Sequence, residues 1–255
     1  WGWRLPFALA LKLSVGIGRA VALRFARDGM AVGVLDLNLD GAESVAAEIR
    51  AAGGQAIALA ASIADRKQMS AALSRLREAF GPVTVLVNNA GFADYGEFTE
   101  LDVQKQLDMI QVNITALTEL THAYLPGMRA RGRGRVLNIA STAAFLPGPL
   151  MAVYYATKAY VLSFSEALHE ELRGTGVSVT AACPGPVETG FQAAANMGGS
   201  RLLRDRLTRA AILPAREVAA HRMLRTGLWM LWLLIVAAAN AVIASRAARE
   251  QPSQV

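Results

Sequence analysis

The sequence predicts an α/β protein in which parallel strands form one doubly wound sheet covered by helices on both faces. Its 255 residues are 53% hydrophobic and 18% charged, enough to bury a full core and within the size of one α/β domain. Short β-branched apolar runs alternate with alanine-rich amphipathic segments, as expected for strands that are buried on both faces and followed by helices. The runs are AVGVLD (31–36), QAIALAA (55–61), TVLVNNA (84–90), GRVLNIA (134–140) and GVSVTAAC (176–183). We assign residues 1–245 to a single domain and expect the polar end, 246–255, to be disordered.

Composition excludes several classes of partner. The net charge of +6 comes partly from two arginine clusters, at 129–135 and 201–209, but neither is interleaved with aromatic residues or accompanied by a nucleic-acid motif. We interpret both clusters as solvated surface and expect no nucleic-acid partner. The three histidines lack metal-ligand spacing, so no metal site is expected, and a single cysteine, Cys183, excludes an intramolecular disulfide.

The first candidate binding element is a glycine turn. Gly16, Ile17 and Gly18 open the helix RAVALRFARDG, whose end is marked by Gly29. A helix that follows a tight glycine turn directs its free N–H groups and its positive dipole end at a phosphate. These three residues are therefore candidates for binding a dinucleotide.

The second candidate is Asp36, at the end of the run AVGVLD and about 20 residues past the glycines. A carboxylate there can accept hydrogen bonds from both ribose hydroxyls and would repel a 2′-phosphate. NAD(H) is therefore favoured over NADP(H), although Arg19 leaves some room for the phosphorylated form.

The most informative pattern is Tyr154 with Lys158 one helical turn further on, preceded by Ser141 at the end of RVLNIAS. In a helix over 153–172 the phenol and the ammonium share a face, with their Cβ atoms about 6 Å apart. A cation held beside a phenol favours the phenolate, so we expect a lowered pKa for Tyr154 and proton exchange near neutral pH. On its own, such a pair is far more often two neighbouring side chains on the surface of a helix.

Three further segments change that judgement: VTVLVNNAG at 83–91, IQVNITA around Asn113, and CPGPVETG at 183–190. In this order, together with Ser141, Tyr154 and Lys158, they resemble the short-chain dehydrogenase/reductase family in its form of about 250 residues. The resemblance runs from about Ser14 to about Gly190.

The resemblance implies a Rossmann-like fold and four catalytic residues, Asn113, Ser141, Tyr154 and Lys158. Tyr154 would exchange a proton with the substrate oxygen, and Ser141 would hold that oxygen. Lys158 would lower the tyrosine pKa and bind the nicotinamide ribose. Asn113 would bind a backbone carbonyl and a water that relays protons to the lysine. Tyr155 lies three residues from the lysine, so the family spacing selects Tyr154.

The resemblance also implies further contacts with the cofactor, some of them made by Tyr154 and Lys158. Asn88 would tie strands together, and Asp65 is expected to cap a helix with Gln68 three residues on. The remaining cofactor-binding candidates are Ser62 and Ile63 beside the adenine, Asn89, Ala90 and Gly91 at a strand end, and Pro184, Gly185, Val187 and Thr189 around the nicotinamide.

The opening segment departs from the family pattern. Lys12 stands where the first glycine of the turn belongs, and Leu11 where a threonine belongs. A side chain there can cost about 1–2 kcal/mol if the backbone is left-handed. Either the lysine is tolerated near the pyrophosphate, or residues 1–13 are not the native start, and we favour the second interpretation.

A second open question concerns 227–244, which is 18 residues without a charge. It is long enough for a membrane span, but it also fits a last strand followed by an alanine-rich helix, which we favour. We expect a cytoplasmic homodimer or homotetramer, with membrane contact through 227–244 as the alternative.

The function that follows is an NAD(P)-dependent alcohol dehydrogenase or ketoreductase acting on a small-molecule alcohol or ketone. The segments expected to set specificity, Thr142–Val153 and 188–213, are apolar, which favours a hydrophobic substrate. Two alternatives stay open: a dinucleotide-binding protein without turnover, and a membrane-associated reductase of lipid-like ketones.

Overall fold

The computed structural model describes residues 7–11 and 16–185, with short stretches at 187–188, 191, 195 and 213–214. The predictions made for Lys12, Thr189 and the segment 227–244 lie outside the described residues.

Within the described residues, six strands form one parallel sheet in the order β3-β2-β1-β4-β5-β6. They are β1 (Phe7–Leu11), β2 (Ala31–Asp36), β3 (Ala56–Ala60), β4 (Val85–Asn88), β5 (Gly134–Ile139) and β6 (Val177–Ala182). A separate parallel pair joins β7 (Val187–Glu188) to β8 (Leu213–Pro214). The predicted fold class, an α/β doubly wound sheet, is confirmed.

Helices connect the strands. They are α1 (Gly16–Arg27), α2 (Leu39–Ala51), α3 (Arg66–Phe80), α4 (Val103–Ile110), a π-helical turn (Gln111–Ala116), α5 (Leu117–Ala130), a 3-10 turn (Thr142–Phe145) and α6 (Ala152–Glu171). Asp65 caps α3 as expected, because its carboxylate accepts from the N–H groups of Lys67 and Gln68.

The side-chain alternation of β2 explains why this strand is apolar throughout. Val32 and Val34 join one buried cluster with residues of α1 and α2, whereas Ala31 and Leu35 join the opposite cluster with residues of α3 and α5. Successive side chains of a strand point to opposite faces, so both faces of the sheet are covered.

The strand β1 lies at the centre of the sheet, where it pairs with β2 and β4. A strand that precedes the glycine turn therefore belongs to the same sheet. The strand Phe7–Leu11 is not among the predicted runs, because a short apolar run beside a glycine turn is a weak signal.

Asn88 ties strands and helices together, as the resemblance implied. Its Nδ2 donates to Asn138 Oδ1 on the neighbouring strand at 2.9 Å and to Thr121 Oγ1 of α5 at 3.1 Å. Asn138 in turn donates to Ser165 Oγ of α6 at 2.9 Å. This buried ladder fixes the carboxyl ends of β4 and β5, where parallel sheets bind ligands.

Candidate active site

Three of the predicted catalytic residues meet at the carboxyl end of β5. Ser141 lies two residues past the end of that strand, and α6 carries Tyr154 and Lys158, both of them buried. The Lys158 Nζ donates to Ile139 O at 2.8 Å and lies 5.8 Å from the centre of the Tyr154 ring. The lysine is thus anchored to the strand that positions Ser141, and the predicted pair exists on one helix face.

The direction of the Tyr154 pKa shift differs from the expectation. Burial of the phenol raises its pKa to about 12, while a hydrogen bond with the Ser141 side chain acts in the lowering direction and nearby Tyr155 adds a small rise. The prediction that Lys158 lowers this pKa was wrong: the lysine is not among the causes of the shift, and the loss of solvation outweighs the hydrogen bond with Ser141. Sequence spacing shows which groups are neighbours but not how deeply they are buried.

A local turn fixes the position of the Ser141 side chain. It caps the 3-10 turn, and its Oγ accepts from Ala143 N at 3.2 Å. The following residue, Thr142, donates its N–H to Pro184 O at 3.0 Å. The serine hydroxyl, the tyrosine and the segment after β6 are therefore brought together.

Asn113 lies in the π-helical turn, and both ends of its amide are used. Its Nδ2 donates to Phe92 O at 3.0 Å and to Thr157 Oγ1 at 3.0 Å, and its Oδ1 accepts from Phe92 N at 3.1 Å. The expected bond to a backbone carbonyl is thus present. π-Helical turns often occur at functional sites.

Gly91 lies where these groups converge. A Cβ added to it would lie 3.1 Å from Asn113 Oδ1 and 3.6 Å from Lys158 Nζ. The absence of a side chain keeps the backbone at the carboxyl end of β4 open to close approach by a ligand.

Tyr155 packs beside Tyr154 in the same hydrophobic cluster. Its ring lies 6.0 Å from that of Tyr154 in an edge-on orientation and packs against Gly148, where an added Cβ would meet it at 2.2 Å. The ring of Phe191 lies 5.5 Å from that of Tyr154. The rings of Tyr155 and Phe191 form an aromatic wall beside the phenol. In the loop before α6, Leu150 adopts a left-handed φ of 65°.

The dinucleotide edge is built from backbone. Gly16 begins α1 with a φ of 63°, Gly18 is buried, and the side chain of Ile17 packs against the core, leaving its N–H at the helix start. Asp36 ends β2 and is buried, and its carboxylate accepts from Asn38 N at 3.1 Å.

The other predicted contacts follow the strands. Ser62 and Ile63 come after β3, and the Ser62 N–H is already bound by the Gln68 side chain at 2.9 Å. Ile63 and Ala90 pack against the core. Asn89 is half-buried just after β4, and Pro184 and Gly185 follow β6, while Val187 lies in β7.

These residues fit a dinucleotide. The strand order reverses between β1 and β4, and such a switch point is where open α/β sheets bind ligands. A helix start at Gly16, a carboxylate at Asp36 and the bare backbone of Gly91 border this point. They would hold the pyrophosphate, a ribose and the nicotinamide end, respectively.

Two residues at the site escaped the sequence analysis. Phe92 binds Asn113 through its backbone, and Thr157, which is 1% exposed, lies between Tyr154 and Lys158 and accepts from Asn113. A backbone role leaves no signal in residue type. Thr157 does leave a signal in residue type, since a hydroxyl at a buried helix position needs a hydrogen-bond partner.

Two negative findings apply to the part of the chain that the structure describes. There, no group of His, Cys, Asp and Glu side chains could hold a metal ion. Nor do the described helices include one long and apolar enough to span a membrane.

Comparison with known proteins agrees with this geometry. The model of the short chain dehydrogenase family matches residues 8–198. The ketoacyl reductase HetN of Nostoc sp. is 35% identical over 179 residues, which span 70% of this chain and 62% of HetN.

Solved structures extend the comparison. A 3-ketoacyl-(acyl-carrier-protein) reductase from Brucella melitensis with NADH has a TM-score of 0.75 at 32% identity, covering 84% of this chain and 87% of that one. A variant of the actinorhodin polyketide ketoreductase with NADPH gives 0.76 at 32% identity, with the same coverage.

The chain therefore belongs to the short-chain dehydrogenase family of NAD(P)-dependent oxidoreductases. The two solved structures hold nicotinamide dinucleotides, NADPH in one and NADH in the other.

Proposed function

We propose that this chain reduces the ketone of an apolar substrate of the ketoacyl kind, with NADH as the preferred hydride donor. The observation that carries the proposal is the buried corner where Ser141, Tyr154 and Lys158 meet. The ketoacyl reductases among the similar proteins support this class of substrate.

The pKa of Tyr154 supports the reducing direction. At about 12, it keeps the phenol protonated at neutral pH, which is the form that can give a proton to a carbonyl oxygen. Oxidation of an alcohol needs the phenolate instead, so it should become faster as the pH rises.

Each residue then has a defined task. A bound reduced nicotinamide supplies the hydride that adds to the carbonyl carbon. Tyr154 gives its proton to the carbonyl oxygen, and the Ser141 hydroxyl hydrogen-bonds that oxygen. Lys158, anchored on Ile139 O, is placed to bind a ribose hydroxyl. Asn113 keeps the Gly91–Phe92 backbone in place beside them.

Asp36 supports NADH over NADPH. Its buried carboxylate at the end of β2 would accept from ribose hydroxyls and repel a 2′-phosphate. The side chain of Arg19, which could bind such a phosphate, pairs with Glu48 at 2.5 Å. We further propose a homo-oligomer, as is common in the family.

The test is a reductase assay with separate NADH and NADPH. The probes are the acetoacetyl thioester of N-acetylcysteamine and a hydrophobic aryl ketone, and the signal is the loss of reduced-nicotinamide absorbance. Turnover of the thioester with a preference for NADH supports the proposal. Binding of NADH without turnover of any carbonyl would indicate a dinucleotide-binding protein that does not catalyse the reaction.

A further inference from the structure

Thr157 occupies a central place in the catalytic helix without a role in the reaction described above. It lies in the turn of α6 that separates Tyr154 from Lys158, and it is 1% exposed. A hydroxyl so deeply buried needs hydrogen-bond partners.

The partners fix the direction of its hydrogen bonds. Thr157 Oγ1 donates its single proton to Tyr154 O at 2.7 Å. Toward Asn113 it can therefore only accept, and the amide nitrogen of Asn113, at 3.0 Å, must face it. The hydroxyl of the catalytic helix and the backbone N–H of Phe92 thus require the same orientation of the Asn113 amide.

That orientation has consequences at the carboxyl end of β4. With its nitrogen toward Thr157, Asn113 turns its Oδ1 to the N–H of Phe92, while the second amide proton goes to Phe92 O. The same Oδ1 lies 3.1 Å from the Cβ position of Gly91, and Lys158 Nζ lies 3.6 Å from that position. Asn113 Oδ1 and the lysine therefore border the same small space.

We propose that Thr157 is a positioning residue for this reaction, whose hydroxyl orients the Asn113 amide and thereby sets the Gly91–Phe92 backbone against Lys158 and Tyr154. Its effect on turnover rests on the proposed reductase function. Its effect on the backbone of Phe92 does not.

The test compares Thr157→Val, which keeps the shape and removes the hydroxyl, with Thr157→Ser, which keeps the hydroxyl and removes the methyl group. We expect Thr157→Val to lower kcat about tenfold, as the loss of one or two buried hydrogen bonds allows, with the KM for NADH changed less than about threefold. Thr157→Ser should retain kcat within about threefold. A serine variant as impaired as the valine variant would overturn the proposal, since packing of the methyl group would then explain both.

A double-mutant cycle tests the route through Asn113. In an Asn113→Ala background, Thr157→Val should lower kcat by less than about twofold, because its effect acts through the amide already removed. Fully multiplicative losses would contradict the proposal. If Thr157→Val does not fold, Thr157→Ala replaces it in both comparisons.

Amide hydrogen exchange separates this inference from the proposed function. The Phe92 amide should exchange about tenfold faster in Thr157→Val, and as slowly as in the wild type in Thr157→Ser. If the wild type reduces none of the carbonyl probes, the reductase proposal fails, and the Phe92 exchange rate alone decides the positioning role. An unchanged rate in the valine variant would refute it.

Discussion

The catalytic corner and the dinucleotide edge lie along the same end of the sheet, but they are held in different ways. The corner is fixed by side-chain hydrogen bonds of Asn113, Thr157 and Lys158, to backbone oxygens and to one another. The edge is formed mainly by backbone at Gly16 and by one buried carboxylate, Asp36.

The difference means that the two regions should respond differently to substitution. Removing one group from the corner breaks a connected network, so the loss should appear in kcat. Changes at the edge should alter the binding and selection of the dinucleotide and leave the chemical step largely intact.

The largest effect should come from the proton donor. We expect Tyr154→Phe to lower kcat by about 10³-fold while NADH still binds, because only the phenolic proton is lost. The neighbouring Tyr155→Phe serves as the control and should retain most of the activity. Similar losses in both variants would mean that the aromatic wall, rather than the Tyr154 hydroxyl, supports turnover.

Ser141→Ala should have the next largest effect, a fall in kcat of about 10²-fold, since a hydrogen bond to the reacting oxygen is lost. The Ser141 bond lowers the pKa of Tyr154, so its removal should raise that pKa further. Alcohol oxidation, which needs the phenolate, should then begin to rise at a higher pH than in the wild type.

The pH profile of alcohol oxidation measures this shift, with Ser70→Ala on the exposed face of α3 as the control. A profile that moves to lower pH in Ser141→Ala would contradict the assigned hydrogen bond.

Gly91→Ala tests the place where the two regions meet. The new Cβ would press on Asn113 Oδ1 at 3.1 Å, so we expect kcat/KM to fall about tenfold and NADH to bind more weakly. Gly127→Ala, in α5, meets only the flexible end of Arg131 and should be neutral. Unchanged NADH binding in Gly91→Ala would show that this glycine does not line the cofactor site.

The smallest effect on turnover is expected at the edge. Asp36→Asn should reduce the ratio of kcat/KM for NADH to that for NADPH by about tenfold, because a carboxylate no longer opposes the 2′-phosphate. Asp40→Asn, in the first turn of α2 and exposed, should leave the ratio unchanged. If Asp36→Asn and Asp40→Asn have the same ratio, residues other than Asp36 select the cofactor.

The parts that sequence could predict are those with a fixed spacing. Tyr154 and Lys158 share one helix turn, and the order of apolar runs determines a parallel sheet, so both followed from the pattern. The link from Asn113 to Thr157 joins residues 44 apart, and only the folded chain brings them together. The Tyr154 pKa was misjudged because its burial, like the Thr157 bond, depends on tertiary packing.

The most direct test follows the hydride itself. Wild-type protein is mixed with NADH deuterated at the transferring position of the nicotinamide and with the acetoacetyl thioester, and the product is examined by mass spectrometry. Deuterium on the new hydroxyl-bearing carbon, with its formation slowed about 10³-fold in Tyr154→Phe, is the result we predict. Deuterium transfer at the wild-type rate in Tyr154→Phe would contradict the assignment of the proton donor.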